Sequence, residues 1–367
     1  MAHITDTVGP GKDYTTLALW YAAVKDDASN VHSAECYTGG NLGPVDLRSG
    51  VSNGPAWTST ESEQSWIYAA EGHEQDGSLT ATQGAYVDLV GAEIIKWIGQ
   101  YGGVKGLRVN GNHNHVSVTV CINIIALADN TTKLIEASNN MVVLSGGASE
   151  LGIVAVLSHS TDAELRVINN EVWAANADNA RGGIGIQAGL APPFGADCLL
   201  TVHNNSVRAE GYGGAFGAFA VVVAPLSLRH TVDFQNNISA CDFRNPSVPC
   251  FAFLDIPADT TWTNDYNVSS DASATGANSL INKDEDTIWQ DVDSVTTPFN
   301  PKIKGEIDNG AAYNSLGPNG TASASNVDGL GRLRQTLGGS DFRGAVIVPR
   351  HPVLLMNEMN QPLDMEK

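Results

Sequence analysis

Short runs of alternating apolar and polar residues recur along the middle of the chain, and each runs into a pair of asparagines. LRVINNEVWA starts at residue 165, LLTVHNNSVR at 199 and TVDFQNNISA at 231. A weaker copy, LIEASNNMVV, starts at 134, and a worn one, TWTNDYNVSS, at 261. Alternation with period two predicts strands with one buried face. The second Asn of the pair falls at 140, 170, 205 and 237, and Asn267 continues the beat, so the steps are 30, 35, 32 and 30 residues. Counting backwards, the same beat suggests Asn110 and Asn112 as an earlier copy.

A second phrase keeps the same time. GIVAVLS starts at 152, GIGIQAG at 183, GAFAVVV at 217 and CFAFLDI at 250, in steps of 31, 34 and 33. Two independent phrases with one period define a repeat protein. Each repeat reads as a glycine-led apolar strand, a polar loop, an alternating strand, Asn-Asn and another short strand. No helix-sized segment lies between them. Stacking such three-strand units puts like strands beside like strands in parallel, about 4.8 Å apart. The expected fold is all-β: a single-stranded right-handed parallel β-helix, the hand following the general preference of parallel crossovers.

Asparagine is a poor strand residue, so its place in the phrase needs a reason. At a sharp bend between two faces it tolerates the left-handed backbone and bonds to local backbone groups. Stacked copies can also bond amide to amide up the solenoid. Asn140, Asn170, Asn205, Asn237 and Asn267 are therefore read as structural corners.

The two ends break the rhythm. In GPGKDYTTLALWYAAV, Asp13 and Thr15 or Thr16 can cap a helix over about 14–25, with Leu17, Tyr21 and Val24 on one face. Such a helix would cover the open end of the solenoid. Residues 31–105 hold less regular coils, with strand-like pieces at 65–70 and 86–90; AEIIKW at 92–97 reads as strand or turn. The expected organisation is an N-terminal segment with its capping helix over 1–30, the β-helix over 31–270, an irregular wrap over 271–345 and an extended apolar tail over 346–367. Within VIVPRHPVLLMN, Val346, Ile347, Val348, Val353, Leu354 and Leu355 are too apolar for a free tail and read as partner contacts.

These residues resemble the right-handed parallel β-helix superfamily that includes pectate lyases and many phage tailspikes. The opening segment and the later DGLGRLRQTLGGSDFRGA resemble the first and closing segments of such proteins. The resemblance implies the architecture, and its members include both enzymes and structural parts of virions, so fold alone does not select the function.

Composition narrows the field. Forty Asp and Glu against twenty Lys and Arg give a formal net charge of -20. With no basic patch, nucleic acid is not an expected partner. No apolar stretch approaches a membrane span, and no secretory signal opens the chain. Five scattered cysteines without a CxxC read as small buried hydrophobes.

Candidate chemistry is sparse. The charged set in repeat phase is Asp162, Glu164 and Arg166, alternating along one strand, with Glu171, Arg208 and Glu210 nearby; Glu171 and Glu210 stand just after the Asn corners of successive coils. As an enzyme, the chain would draw its acids from Asp162, Glu164, Glu171 and Glu210 with Arg166; as a solenoid, it would pair these charges up the stack. The polygalacturonase phrases are not met as a set; Asp26-Asp27 matches one of them but falls at the end of the helix. His113 and His115 have the spacing of two metal ligands and lack a third nearby. Ser158-His159-Ser160 lacks the orienting acid of a triad. The acidic run KDEDTIWQDVD from 283 lacks the order of a calcium loop. No cofactor is expected.

The sequence thus leads to a non-enzymatic virion structural protein, a bacteriophage capsid decoration or cement protein assembled in the host cytoplasm without a signal peptide. Its expected partners are other virion proteins and further copies of itself. The alternative is a phage tailspike or fibre, or another β-helix protein that binds or cleaves polysaccharide, with a glycan as ligand.

Overall fold

A computed structural model describes residues 2–47, 54–75, 84–89, 93–112, 119–126, 134–145, 150–158, 163–175, 184–191, 198–211, 217–223, 230–243, 247–254, 256–284, 288–291 and 300–303. It is a parallel β-solenoid whose three long sheets run along three faces. The first sheet has nine strands, from Ala2–Val8 and Asn30–Cys36 through Ser65–Ala69, Tyr101–Lys105, Leu134–Ser138, Glu164–Ile168, Leu199–His203 and Thr231–Gln235 to Thr261–Asp265. The second has seven, Tyr86–Leu89, Arg108–Asn112, Met141–Ser145, Glu171–Ala175, Ser206–Gly211, Ile238–Phe243 and Val268–Ser269. The third also has seven, Val45–Asp46, Glu93–Gly99, Thr119–Ala126, Glu150–Ser158, Ile184–Ala191, Phe219–Val223 and Phe251–Leu254.

Each complete coil visits the third, first and second faces in that order. The glycine-led phrase forms the third sheet, the alternating phrase the first, and the residues after Asn-Asn the second. AEIIKW is strand from Glu93 onward, because Ile95 and Trp97 pair with Ile122 and Ile124 of the next coil. Alternation sends one set of side chains inward: Leu165 and Val167 stack on Leu200 and Val202, then on Val232 and Phe234, all fully buried. The core is therefore a column of stacked aliphatic side chains. It ends at the C-terminal side in an aromatic plug of Phe219, Phe234, Phe251, Phe253 and Trp262, with neighbouring ring centroids 5.1–5.3 Å apart for the tightest pairs.

The N-terminal end departs from the expected layout. The solenoid begins at Ala2 rather than near 31, because Ala2–Val8 pairs in parallel with Asn30–Cys36. The connecting helix, Leu17–Val24, is capped by the Thr16 hydroxyl on the Leu19 N–H. Leu17, Trp20, Tyr21 and Val24 all enter the core. Tyr21 Oη donates to the Leu47 carbonyl at 2.7 Å and ties the helix to the third face. The predicted cap is present, and it is preceded by a strand whose pattern, AHITDTV, is too polar to stand out.

Past Ser269 the described residues add no further strand to the three long sheets. Leu280 bridges Val268, and Ile288 is fully buried beside Met141, Val143, Trp173 and Ile238 on the outer side of the second sheet. Part of the C-terminal segment thus lies against that face. Residues 346–367, including Val346, Ile347, Val348, Val353, Leu354 and Leu355, lie outside the described residues.

One expectation about cysteine is overturned. Cys241 and Cys250 form a disulfide, with Cα atoms 5.6 Å apart. Cys36, Cys121 and Cys198 are buried thiols, as their scatter implied. The pair was missed because nine residues of sequence separate cysteines that the coil brings together on adjoining faces.

Candidate functional site

The asparagine corners divide two jobs between two residues. The first of each pair takes the left-handed backbone: φ is 56° at Asn139, 57° at Asn169 and Asn204, and 59° at Asn236. Tyr266 does the same in the last coil at 58°. The second Asn points inward and builds a ladder. Asn140 Nδ2 donates to Asn170 Oδ1 at 3.0 Å, Asn170 to Asn205 at 3.0 Å, Asn205 to Asn237 at 2.9 Å and Asn237 to Asn267 at 3.2 Å. Each Oδ1 also accepts the backbone N–H of the preceding rung. The other Nδ2 hydrogen goes back one coil, from Asn140 to the Val104 carbonyl and from Asn205 to the Val167 carbonyl.

Every interior amide is thereby saturated, with two hydrogens donated and two accepted. The ladder begins at Leu107, whose N–H donates to Asn140 Oδ1, and ends at Ser279, whose Oγ accepts from the Asn267 N–H. One coil before Asn140 the corner is Gly106-Leu107, with Gly106 left-handed at φ 72°. Asn110 and Asn112 therefore do not continue the series; they lie in the second-sheet strand opposite Val143 and Ser145.

The charged residues sort onto different faces. Glu164 and Arg166 do share the outer side of one first-sheet strand. Arg166 Nε donates to Glu164 Oε1 at 2.7 Å and a terminal nitrogen to Oε2 at 2.8 Å, a forked pair. Glu171 stands beyond the corner on the second sheet, buried and in register with Met141 and Ser206. Arg208 and Glu210 also belong to that second-sheet series, in register with Trp173 and Ala175. The proposed set thus splits across two faces, because the Asn corner turns the chain between them. Asp162, His113 and His115 lie outside the described residues.

The first face instead gathers partners that the sequence reading missed. Trp66, Gly103, Glu136, Arg166, Thr201, Asp233 and Thr263 are successive register partners in one column. Glu136 accepts from Ser138 Oγ at 2.5 Å and lies 3.9 Å from Arg166. Thr201 Oγ1 donates to Glu164 at 3.3 Å. His203 Nε2 is 3.1 Å from Asp233, which also accepts from Gln235 at 2.6 Å. Burial opposes ionisation of Asp233, but His203 and Gln235 outweigh it and hold the carboxyl below its ordinary value. Burial likewise opposes the Arg166 charge, and Glu164 and Glu136 outweigh it, so the guanidinium is held even more firmly protonated. The signal was present in the sequence: residues 136, 166, 201 and 233 each stand four before a corner Asn.

A second polar knot pins the N-terminal end. The buried His32 ring lies between Asp6 at 2.8 Å and Asp27 at 3.1 Å, and Trp20 Nε1 donates to Asp6 at 3.0 Å. Hydrogen bonds from the Asn30 amide, the His32 ring and the Ser29 N–H hold the Asp27 carboxyl well below the usual range. Asp27, which the sequence placed beyond the helix and off any groove, is thus part of the clasp that fixes the helix to the first sheet.

Together these features define a parallel β-solenoid repeat protein with a continuous internal asparagine ladder. Comparison with family models, with curated proteins and with solved structures finds no match. The class therefore rests on the coils themselves.

Proposed function

We propose that the protein is a non-enzymatic structural protein of a virus particle, a bacteriophage capsid decoration protein whose body is the solenoid. The observation that carries the non-enzymatic part is the pairing on the first face. Both oxygens of Glu164 are taken by Arg166, Glu136 is engaged by Ser138 and Arg166, and Asp233 by His203 and Gln235. Glycoside hydrolysis needs one carboxyl kept as an acid and another free to attack or activate water. Carboxyl groups already paired with a guanidinium in their own stack serve stiffness better. The saturated ladder adds to this: it ties successive coils together through amides whose hydrogen bonds are satisfied inside the rod, suited to repeated placement on a surface. The assignment to a phage particle extends the resemblance of the repeat pattern.

The test is to label purified particles from the source with an antibody against the protein and image them. Signal over the head, with loss of capsid stability when the protein is stripped, is the expected result. Absence of signal from the particle would sink the reading.

A second reading, a glycan-binding face, has one specific observation behind it. Trp66 lies opposite Gly103, which leaves bare backbone between an aromatic ring and Glu136. A tail-localised signal, with polysaccharide binding lost in Trp66→Ala, would favour it.

A further inference from the structure

We propose that Cys241–Cys250 is a thiol–disulfide exchange site that latches the C-terminal end of the solenoid, so that the end coil is fixed only in oxidising surroundings. Among the described residues, the strand Phe251–Leu254 is the last of the third sheet and has a hydrogen-bonded strand on one side only. Terminal strands of this kind open most easily. This one also carries Phe251 and Phe253 of the aromatic plug. Cys250 immediately precedes it, and Cys241 sits inside the second-sheet strand Ile238–Phe243, paired with Ala209 of the preceding coil. The covalent bond therefore ties the weakest edge of the third face to an interior strand of the second.

The site is selective among the five cysteines. Cys36, Cys121 and Cys198 are buried thiols, and burial pushes the Cys36 thiol far above its ordinary value, which makes it inert. Cys250 is fully buried, while Cys241 is partly exposed. An external thiolate reaches Cys241 Sγ, forms a mixed disulfide there, and expels Cys250 as the thiolate. The Ser270 hydroxyl, 3.2 Å from Cys250 Sγ, is placed to donate to it. A second external thiol then releases Cys241, and the reductant leaves as its own disulfide, so two electrons and two protons end on the two cysteines. The Asp271 carboxylate, within 4.8 Å of both sulfurs, repels the incoming thiolate and slows the exchange. Asp271 also accepts the Cys250 N–H at 2.8 Å, and Ser273 Oγ accepts the Phe251 N–H at 2.9 Å. These bonds keep the reduced strand in place but without a covalent stop.

The test uses the full chain. Alkylation of the unreduced, denatured protein followed by mass spectrometry should label Cys36, Cys121 and Cys198 and spare Cys241 and Cys250; labelling of all five overturns the proposal. Hydrogen exchange then reads the latch. Amides of Phe251–Leu254 should exchange on the order of 10- to 100-fold faster after reduction by a dithiol, the range expected from opening a short covalent loop. The corner amides of Asn170 and Asn205 should not change. Cys241→Ser/Cys250→Ser should behave like the reduced protein with or without reductant. Equal exchange in the oxidised and reduced wild-type protein overturns the latch even where the double variant folds poorly.

Discussion

Asn170 Nδ2 donates to Asn205 Oδ1 at 3.0 Å, and the Asn170 backbone N–H donates to the same oxygen at 3.0 Å. One side-chain oxygen thus satisfies two buried donors of the preceding coil. Replacing Asn205 by Ala removes three hydrogen bonds: it orphans both donors and takes the Nδ2 donor away from the Val167 carbonyl. A buried unsatisfied group costs about 1–3 kcal/mol, and shared geometry makes the three less than additive, so a loss of about 3–4 kcal/mol is expected. Denaturant unfolding of Asn205→Ala against wild type measures it. A loss under about 1 kcal/mol would show that the ladder is ornament on a fold held by the core alone.

The neighbouring residue makes the opposite prediction. Asn204 is needed for its backbone, φ 57°, and Tyr266 holds the same conformation at 58° without the advantages of Asn. Left-handed backbone costs an ordinary L-residue about 1–2 kcal/mol, and glycine escapes it. Asn204→Gly should be close to neutral, Asn204→Val clearly destabilising, and Tyr266→Gly should raise stability by up to about 1 kcal/mol. Thermal melts of the three variants separate the backbone role from the ladder role. If Tyr266→Gly is as damaging as Asn204→Val, the side chain of Tyr266 matters more than its φ.

How much of this was legible follows from the same residues. The corners were readable because a special backbone demands a special residue, and the demand returns once per coil. The three-strand order of each coil was readable for the same reason. The split between the first and second Asn was not, since both belong to one dipeptide and only φ tells them apart. The charged column on the first face stands four residues before each corner, yet its chemistry changes from Glu to Arg to Thr to Asp, so no letter repeats. Glu171 reads as standing just after a corner, where it lies, but the sequence does not say that the corner carries it to a different face from Glu164 and Arg166. The Cys241–Cys250 bond and the strand Ala2–Val8 carry no periodic signal at all.

Glycine at 103 is fixed by close approach. Its φ is 155°, and a Cβ there would lie 1.8 Å from the Glu136 carbonyl oxygen. No rotamer relieves a backbone clash, so Gly103→Ala must shift the strand or break its pairing with Leu134–Ser138. A loss of about 3 kcal/mol or more is expected, in the range of strained or overpacked sites. Circular dichroism melts check it, and a variant as stable as wild type would mean that the two strands can slide apart freely.

The Glu136–Arg166–Glu164 group predicts coupling. The Glu136 side chain is 7% exposed and Arg166 is 21% exposed, so removing the guanidinium leaves a nearly buried carboxylate without its cation. Breaking a buried pair costs about 3–5 kcal/mol, and the partial exposure of Arg166 lowers the expectation to about 2 kcal/mol for Arg166→Gln. Adding Glu136→Gln should return about half of that, because the orphaned charge is gone. A double-mutant cycle reads this directly. Strict additivity would show that Arg166 acts on Glu164 alone and that the 3.9 Å approach to Glu136 carries no energy.

Asp233 gives a pH signature. Its folded carboxyl lies below the unfolded value, near 3.9, because His203 and Gln235 outweigh burial. A depressed carboxyl contributes stability that is fully present above the unfolded value and is lost as pH falls through the folded one. Wild type should therefore exceed Asp233→Asn in melting temperature at about pH 5, and the margin should shrink as the pH drops below about 4. The same comparison in His203→Gln should show a smaller margin at neutral pH, since the larger of the two opposing partners is gone. Melting temperatures across that range decide the point. A margin that grows on acidification would place the Asp233 carboxyl above its unfolded value and make burial, rather than the His203 contact, the dominant influence on this face.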